Sequence, residues 1–280
     1  MKHFFESLER QIDFSNEYMK LERMVSFENH NFYRIGSTIN IIIEDNFRNW
    51  RKRGNFTSFS ELRIHLGFSI YDSEGRRDED LIRTDVNMEE YFLYCEMLLN
   101  LIDDLHIRNI DDDVIPIIAD IVDTLKFNVE KSGFEIKSVD SQKIIVEKDA
   151  VSIYVADNNP DIADLIIEYN HYLLRGNIKR KQEILKGIAD ALEPRQKELY
   201  EINKSAKDDF FWMVNNLNVR HNNCDCNDKK NYNPKFAGLS SKEKENWYDL
   251  IYDQALYLFV LLNSKSRNEE IKNFKQEVNK

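Results

Sequence analysis

The chain is 280 residues long, 42% hydrophobic and 12% aromatic, with a formal net charge of −11. That length suits one large domain or two ordinary ones, and the apolar fraction can bury a core, which excludes a disordered chain. The acidic balance argues against non-specific nucleic-acid binding, which needs a basic surface to meet phosphate, although a local basic patch is compatible with it. Three cysteines, an odd number in a chain with no signal peptide, point to a reducing cytoplasm rather than a disulfide scaffold. The most apolar run, residues 255–262, is far shorter than the roughly 20 residues that cross a bilayer, so no membrane partner is expected.

Apolar residues recur at spacings of three and four along most of the chain, which predicts a mainly α fold. Phe5, Leu8 and Ile12 mark a first amphipathic helix, and Phe32, Ile35, Ile39, Ile42 and Ile43 a second, closing near Gly54 after Arg51, Lys52 and Arg53. Ser58 and Glu61 have capping-box spacing for a short helix that stops at Gly67. Residues Asp72 to Asp80 carry no periodicity and read as an exposed loop. Helices over Met88 to His106 and Val114 to Lys131 follow.

One β signal stands out. Phe134 to Lys137 and Lys143 to Glu147 are short strand-like runs around Val139, Asp140 and Ser141, as in a hairpin. A domain division is placed just before it, giving a helical N-terminal domain over 1–126 and a hairpin plus helical bundle over 127–280. Pro160 and Asp161 open a helix with the stripe Ile162, Leu165, Ile166, Tyr169 and Leu173, stopped at Gly176. The next runs from Ile178 to about Leu192, broken at Pro194, and Ser205 caps another that carries Phe210, Val214 and Leu217. Ser240 and Glu243 start the last strong helix, striped by Trp247, Leu250, Ile251, Leu258 and Leu261, with a charged tail beyond Ser264 expected to fray.

The most unusual stretch is Asn215 to Asn223, where five asparagines flank Arg220 and His221 at the end of an apolar helix. Continuing the stripe Phe210, Val214, Leu217 puts His221 on the inward face, beside a cleft, with Arg220 about 100° round the helix. Histidine can move protons near neutral pH and arginine can stabilise charge on a phosphate, so the pair suits phosphodiester chemistry, with Asn222 and Asn223 as RNA contacts. The alternative is structural, with His221 closing the last carbonyls of the helix and Arg220 in a salt bridge.

Glu168, His171 and Arg175 stand at i, i+3 and i+7 of the Pro160 helix, a face that would add Glu168 as an acid and His171 as a second base, or else a solvated ion-pair face. Tyr248 and Tyr252, among Asp249 and Asp253, could stack on bases or pack at an interface. Arg48, Arg51 and Arg53 surround Trp50 in the densest basic cluster, a second RNA-contact candidate or an ordinary helix C-terminus. His221, Cys224 and Cys226 lack a fourth ligand in matched spacing, so no metal and no other cofactor is expected. Gly-rich phosphate loops and dinucleotide fingerprints are absent from the sequence.

A helical C-terminal domain with Arg220 and His221 late in the chain resembles the HEPN superfamily of abortive-infection and toxin proteins, over about residues 127 to 263. The resemblance implies a helical bundle, often a homodimer, and metal-independent RNA cleavage by arginine and histidine. In that family's motif four to six residues separate the two, whereas here the positions five to seven after Arg220 are Asp225, Cys226 and Asn227. The expected function is thus a cytoplasmic, phage-defence or toxin-type effector that cleaves or binds RNA. The other reading is a non-catalytic all-helical interaction or assembly subunit.

Overall fold

The computed structural model describes residues 12–26, 39–68, 83–104 and 114–278. The protein is mainly α-helical, with one small antiparallel two-stranded hairpin among the described residues, the architecture the apolar periodicity predicts. It divides into two compact units, Met1–Ile145 and Val146–Lys280, so the chain passes from one to the other inside the second hairpin strand. The division expected just before Phe127 falls within a helix instead.

The first unit holds α1 (Phe14–Ser26), α2 (Ile39–Phe47), α3 (Phe59–His65), α4 (Met88–Asp104) and α5 (Ile115–Lys131). The stripe of Phe5 and Leu8, the start of the second predicted helix at Phe32, and the loop at Asp72 to Asp80 lie outside the described residues. Ser58 accepts from the Glu61 amide at 3.0 Å and so caps α3, while Gly67 follows it with φ +78, as the capping box and glycine stop predict. Helix α2 ends at Phe47 rather than near Gly54, and the chain then turns through Arg51 to Gly54.

Aromatic rings fill the centre of this unit: Tyr18 meets Tyr94 edge-on at 4.8 Å, and Phe92 meets Phe134 at the same distance. A buried polar network runs through it. Arg63 donates to Glu22 at 2.6 Å and to Asn40 at 3.1 Å, and Tyr94 donates to the other Glu22 oxygen at 2.7 Å, tying α1, α2, α3 and α4 together. Strands β1 (Phe134–Val139) and β2 (Gln142–Glu147) join through Asp140 and Ser141, both with positive φ, the backbone of a tight two-residue turn.

The second unit contains α6 (Ala150–Asn158), α7 (Ala163–Tyr169), α8 (Ile178–Leu192), α9 (Gln196–Asn216), the short α10 (Pro234–Ala237) and α11 (Ser241–Val278). Its core is a single cluster in which Ile184, Leu185, Ile188 and Leu192 of α8 meet Phe210 and Val214 of α9 and Ile251, Leu258 and Leu262 of α11. Ser240 and Glu243 exchange backbone and side-chain hydrogen bonds at the start of α11, as their spacing predicts. That helix does not stop at Ser264: it continues to Val278, because the tail's charged residues are good helix formers with no glycine or proline among them.

Two breaks depart from the predicted pattern. Helix α9 is interrupted at Asn203 (φ −154, ψ 91), whose side chain accepts from the Ala206 amide at 3.1 Å, so Asn203 rather than Ser205 caps its second half. The helix opened by Pro160 ends at Tyr169 instead of running to Leu173. Asn170 leaves the helical path, and His171 then caps a separate turn over Tyr172 to Leu174, its Nδ1 accepting from the Leu173 amide at 3.2 Å.

Candidate functional site

The break at Asn170 positions a concavity of the second unit. Val146 forms an antiparallel bridge with His171, and the Glu147 amide donates to the Asn170 carbonyl at 2.8 Å, so the end of β2 lies along this segment. Opposite stands one face of α11. Between them opens a cleft of about 520 Å³, within the usual range for small-molecule sites.

Its floor is polar. Lys181 of α8 is only 6% exposed and donates to Glu245 at 2.8 Å and to Asp249 at 2.6 Å, with its ammonium 5.2 Å from the centre of the Tyr169 ring. Asp249 also accepts from the Tyr169 hydroxyl at 2.9 Å. Tyr169 stacks on Tyr252 at 4.0 Å, and Tyr252 shares hydrogen bonds with Ser152 at 3.0 Å and Asn170 at 2.9 Å. Burial, then the neighbouring Asp249, raises the Tyr169 phenol far above its ordinary value, and burial does the same for Tyr252.

The carboxylates of the cleft are pushed in opposite directions. Burial raises Glu245, but hydrogen bonds from Lys181 and the Gly176 amide outweigh it and hold the group below the ordinary value. Asp253 is raised, first by desolvation and then by the charges of Asp249 and Asp149, both on the same cleft. His171 and Arg175 line the cleft too, and Arg175 pairs with Glu147 at 3.3 Å.

The other sequence-predicted residues are placed differently. Leu217 leaves the helix (φ −113, ψ 42) and Asn218 takes a left-handed conformation (φ +59), so the apolar stripe of α9 ends there. His221 is consequently exposed in a loop rather than one turn further along the inward face. Arg220 braces the end of α8: its guanidinium pairs with Asp190 at 3.3 Å and with Glu193, donates to the Ala189 carbonyl at 3.2 Å, and lies 5.7 Å over the Phe211 ring. Neither Arg220 nor His221 lines the cleft.

Asn223 is buried and structural, donating to the Asn231 carbonyl at 2.6 Å and accepting from the Asn218 amide at 2.8 Å, while Asn222 is exposed. Glu168 is drawn off to Arg180 at 2.8 Å, and the helix break leaves it off the face of His171 and Arg175. Tyr248 is fully buried, not a stacking surface; burial pushes its phenol up to about 12, against an opposing hydrogen bond with Asn218. Tyr252 is likewise inside, on the cleft floor.

In the first unit Arg48 and Arg51 are exposed. Arg53 donates to the Phe56 carbonyl at 2.9 Å, and Trp50 packs on Phe47 at 5.7 Å. Cys224 is half-buried and Cys226 exposed, and among the described residues no group of three or more His, Cys, Asp or Glu side chains is arranged to hold a metal ion.

Sequence reasoning missed Lys181, which sits in the run Lys179, Arg180, Lys181 and reads as solvated. A signal was present: Ile178, Lys181, Leu185, Ile188 and Leu192 keep i, i+3, i+7, i+10, i+14 spacing, so the lysine falls on the apolar stripe. Among the described residues no helix is long and apolar enough to cross a membrane. Compared with known proteins, the chain matches no family model, no curated protein and no solved structure.

Proposed function

We propose that the Val146–Lys280 unit is a recognition module that binds a small polar molecule in the cleft between the Asn170–Arg175 segment and α11. One observation carries this reading: a nearly buried lysine, two carboxylates and two stacked tyrosines are gathered at the floor of an open cavity. Burying an ion pair contributes little net stability, and an apolar side chain of similar volume would usually serve a bundle core as well. Perturbed ionisable groups concentrated in a cleft are the usual mark of a binding or catalytic site.

The test is thermal stabilisation by a panel of small polar compounds, on the wild type and on Asn246→Trp. Asn246 lines the cleft from an exposed position on α11, so the indole would fill the cavity without disturbing the core. At least one compound should raise Tm in the wild type and fail to do so in the variant. Equal responses in both would overturn the cleft reading.

A second reading keeps the RNA-cleaving effector resembling HEPN proteins, acting as a homodimer, but moves its chemistry. His171 and Arg175 line one cleft and would offer the arginine and histidine types that such cleavage needs, in place of Arg220 and His221. Histidine would move protons and arginine would stabilise the charge developing on phosphate. The assay is RNA cleavage in excess EDTA, with His171→Ala expected to abolish it. Cleavage undiminished in that variant would reject this reading.

A further inference from the structure

Lys242, Asn246, Asp249 and Asp253 stand at i, i+4, i+7 and i+11 of α11, one strip along the cleft wall. Most charges around it neutralise one another: Lys181 with Glu245 and Asp249, and Arg175 with Glu147. The two ends of the strip differ. Neither the Lys242 nor the Asp253 side chain has a hydrogen bond or ion pair with any described residue, so the strip carries an unpaired cation at one end and an unpaired anion at the other.

The neighbourhoods reinforce this polarity. At the Lys242 end, the Gly176 amide donates to Glu245 at 2.7 Å and so brings Arg175 alongside, and the positive end of the α11 dipole lies there too. At the Asp253 end, Asp149 approaches through Ser152, which is hydrogen-bonded to Tyr252 at 3.0 Å. Eleven residues of helix separate the two positions by about 16 Å along the axis, which a charge-assisted contact of about 2.8 Å at each end of a ligand reduces to roughly 10–11 Å. Three extended residues span roughly 10 Å.

Granting the cleft as the binding site proposed above, we propose that its ligand is an elongated zwitterion of tripeptide size, with its cationic end at Asp253 and its anionic end at Lys242. The stacked Tyr169 and Tyr252 and the side chain of Asn246 would flank the uncharged middle. A simple polyamine would satisfy the acidic end but leave Lys242 unpaired. A dicarboxylate would meet Lys242 and be repelled by Asp253.

Isothermal titration with four probes tests this: triglycine, its C-terminal amide, its N-acetyl derivative and spermidine. In the wild type triglycine should bind best, with the amide and the N-acetyl form each weaker by about five- to tenfold, as the loss of one charged contact implies. Lys242→Met should lower triglycine affinity by a similar factor and bind triglycine and its amide equally. Asp253→Asn should bind triglycine and N-acetyl-triglycine equally. Spermidine binding as well as triglycine, or variants that keep the wild-type preference, would overturn the zwitterion assignment while leaving the cleft as a binding site. No heat from any of the four would also overturn it, and the Asn246→Trp comparison then decides separately whether the cleft binds anything.

Discussion

Lys181 of α8 reaches Asp249 of α11 at 2.6 Å, and through this one ammonium two helices share a charge that neither could bury alone. Glu245, one turn before Asp249, completes the pair at 2.8 Å. Lys181→Ala would leave two carboxylates facing each other over an emptied stem. Breaking a buried pair typically costs 3–5 kcal/mol, and because Asp249 is half-exposed the expected loss here is about 2–3 kcal/mol. Urea unfolding followed by circular dichroism measures it, and a loss below about 0.5 kcal/mol would contradict the account. Lys181→Met, which keeps the stem packed on Tyr169, should lose less.

In the first unit, Glu22 accepts from Arg63, Ser26 and Tyr94 and is almost wholly buried. Glu22→Gln removes the charge that Arg63 needs, and should destabilise the unit by about 3 kcal/mol or more. Tyr94→Phe loses one bond to a charged group, at about 1.5–3 kcal/mol. Because the protein has two compact units, the unfolding transition of the first should move down while that of the second stays in place. Equal displacement of both transitions would refute the local origin of the effect.

Arg220 is expected to act on stability rather than on chemistry. Its partners are the carbonyl and carboxylates at the end of α8, so Arg220→Ala should cost about 1–2 kcal/mol while Arg220→Lys recovers only part, lacking the planar fork. Any RNA cleavage in EDTA should survive Arg220→Ala at a temperature where the variant is folded. Cleavage lost in the folded variant would return the chemistry to Arg220 and His221.

The two shifted carboxylates of the cleft predict opposite pH responses. Glu245 is held below its ordinary value, so it contributes stability at neutral pH that disappears as pH falls through its folded value; Glu245→Gln should lower Tm near neutrality and matter little in acid. Asp253 is raised, so its charged form is disfavoured in the fold, and the stability it contributes in acid is lost as pH rises through its folded value. Asp253→Asn should therefore raise Tm at neutral pH, with the gain vanishing toward acid. Thermal scans at several pH values check both signs.

Much of the architecture was legible because it rests on local rules. The Ser58–Glu61 and Ser240–Glu243 boxes, the helices over α4 and α5, and the Asp140–Ser141 turn each follow from residues close together in sequence. The site was much less legible. Extending the stripe of α9 places His221 inward, but three asparagine side chains, those of Asn218, Asn223 and Asn233, satisfy backbone groups locally and pull the chain off the helix after Asn216. Asn170 and His171 break the Pro160 helix in the same manner, through a side-chain cap that periodicity does not register. Lys181 stands on the apolar stripe of α8, but its partners Glu245 and Asp249 come from α11, more than sixty positions away, where local spacing does not reveal them.

The interruption of α9 at Asn203 also divides that helix as a cooperative object. Helices fray from their ends, and the loss of one turn normally weakens the next. At Asn203 the ladder is already interrupted, and the second half starts afresh on its own cap, with Gln254 donating to the Ala206 carbonyl at 3.0 Å. Opening of residues 196–202 therefore stops at the cap instead of travelling into Phe210 and Val214. Amide exchange should reveal it as a step in protection along α9, with the residues after Asn203 exchanging only when the whole unit opens.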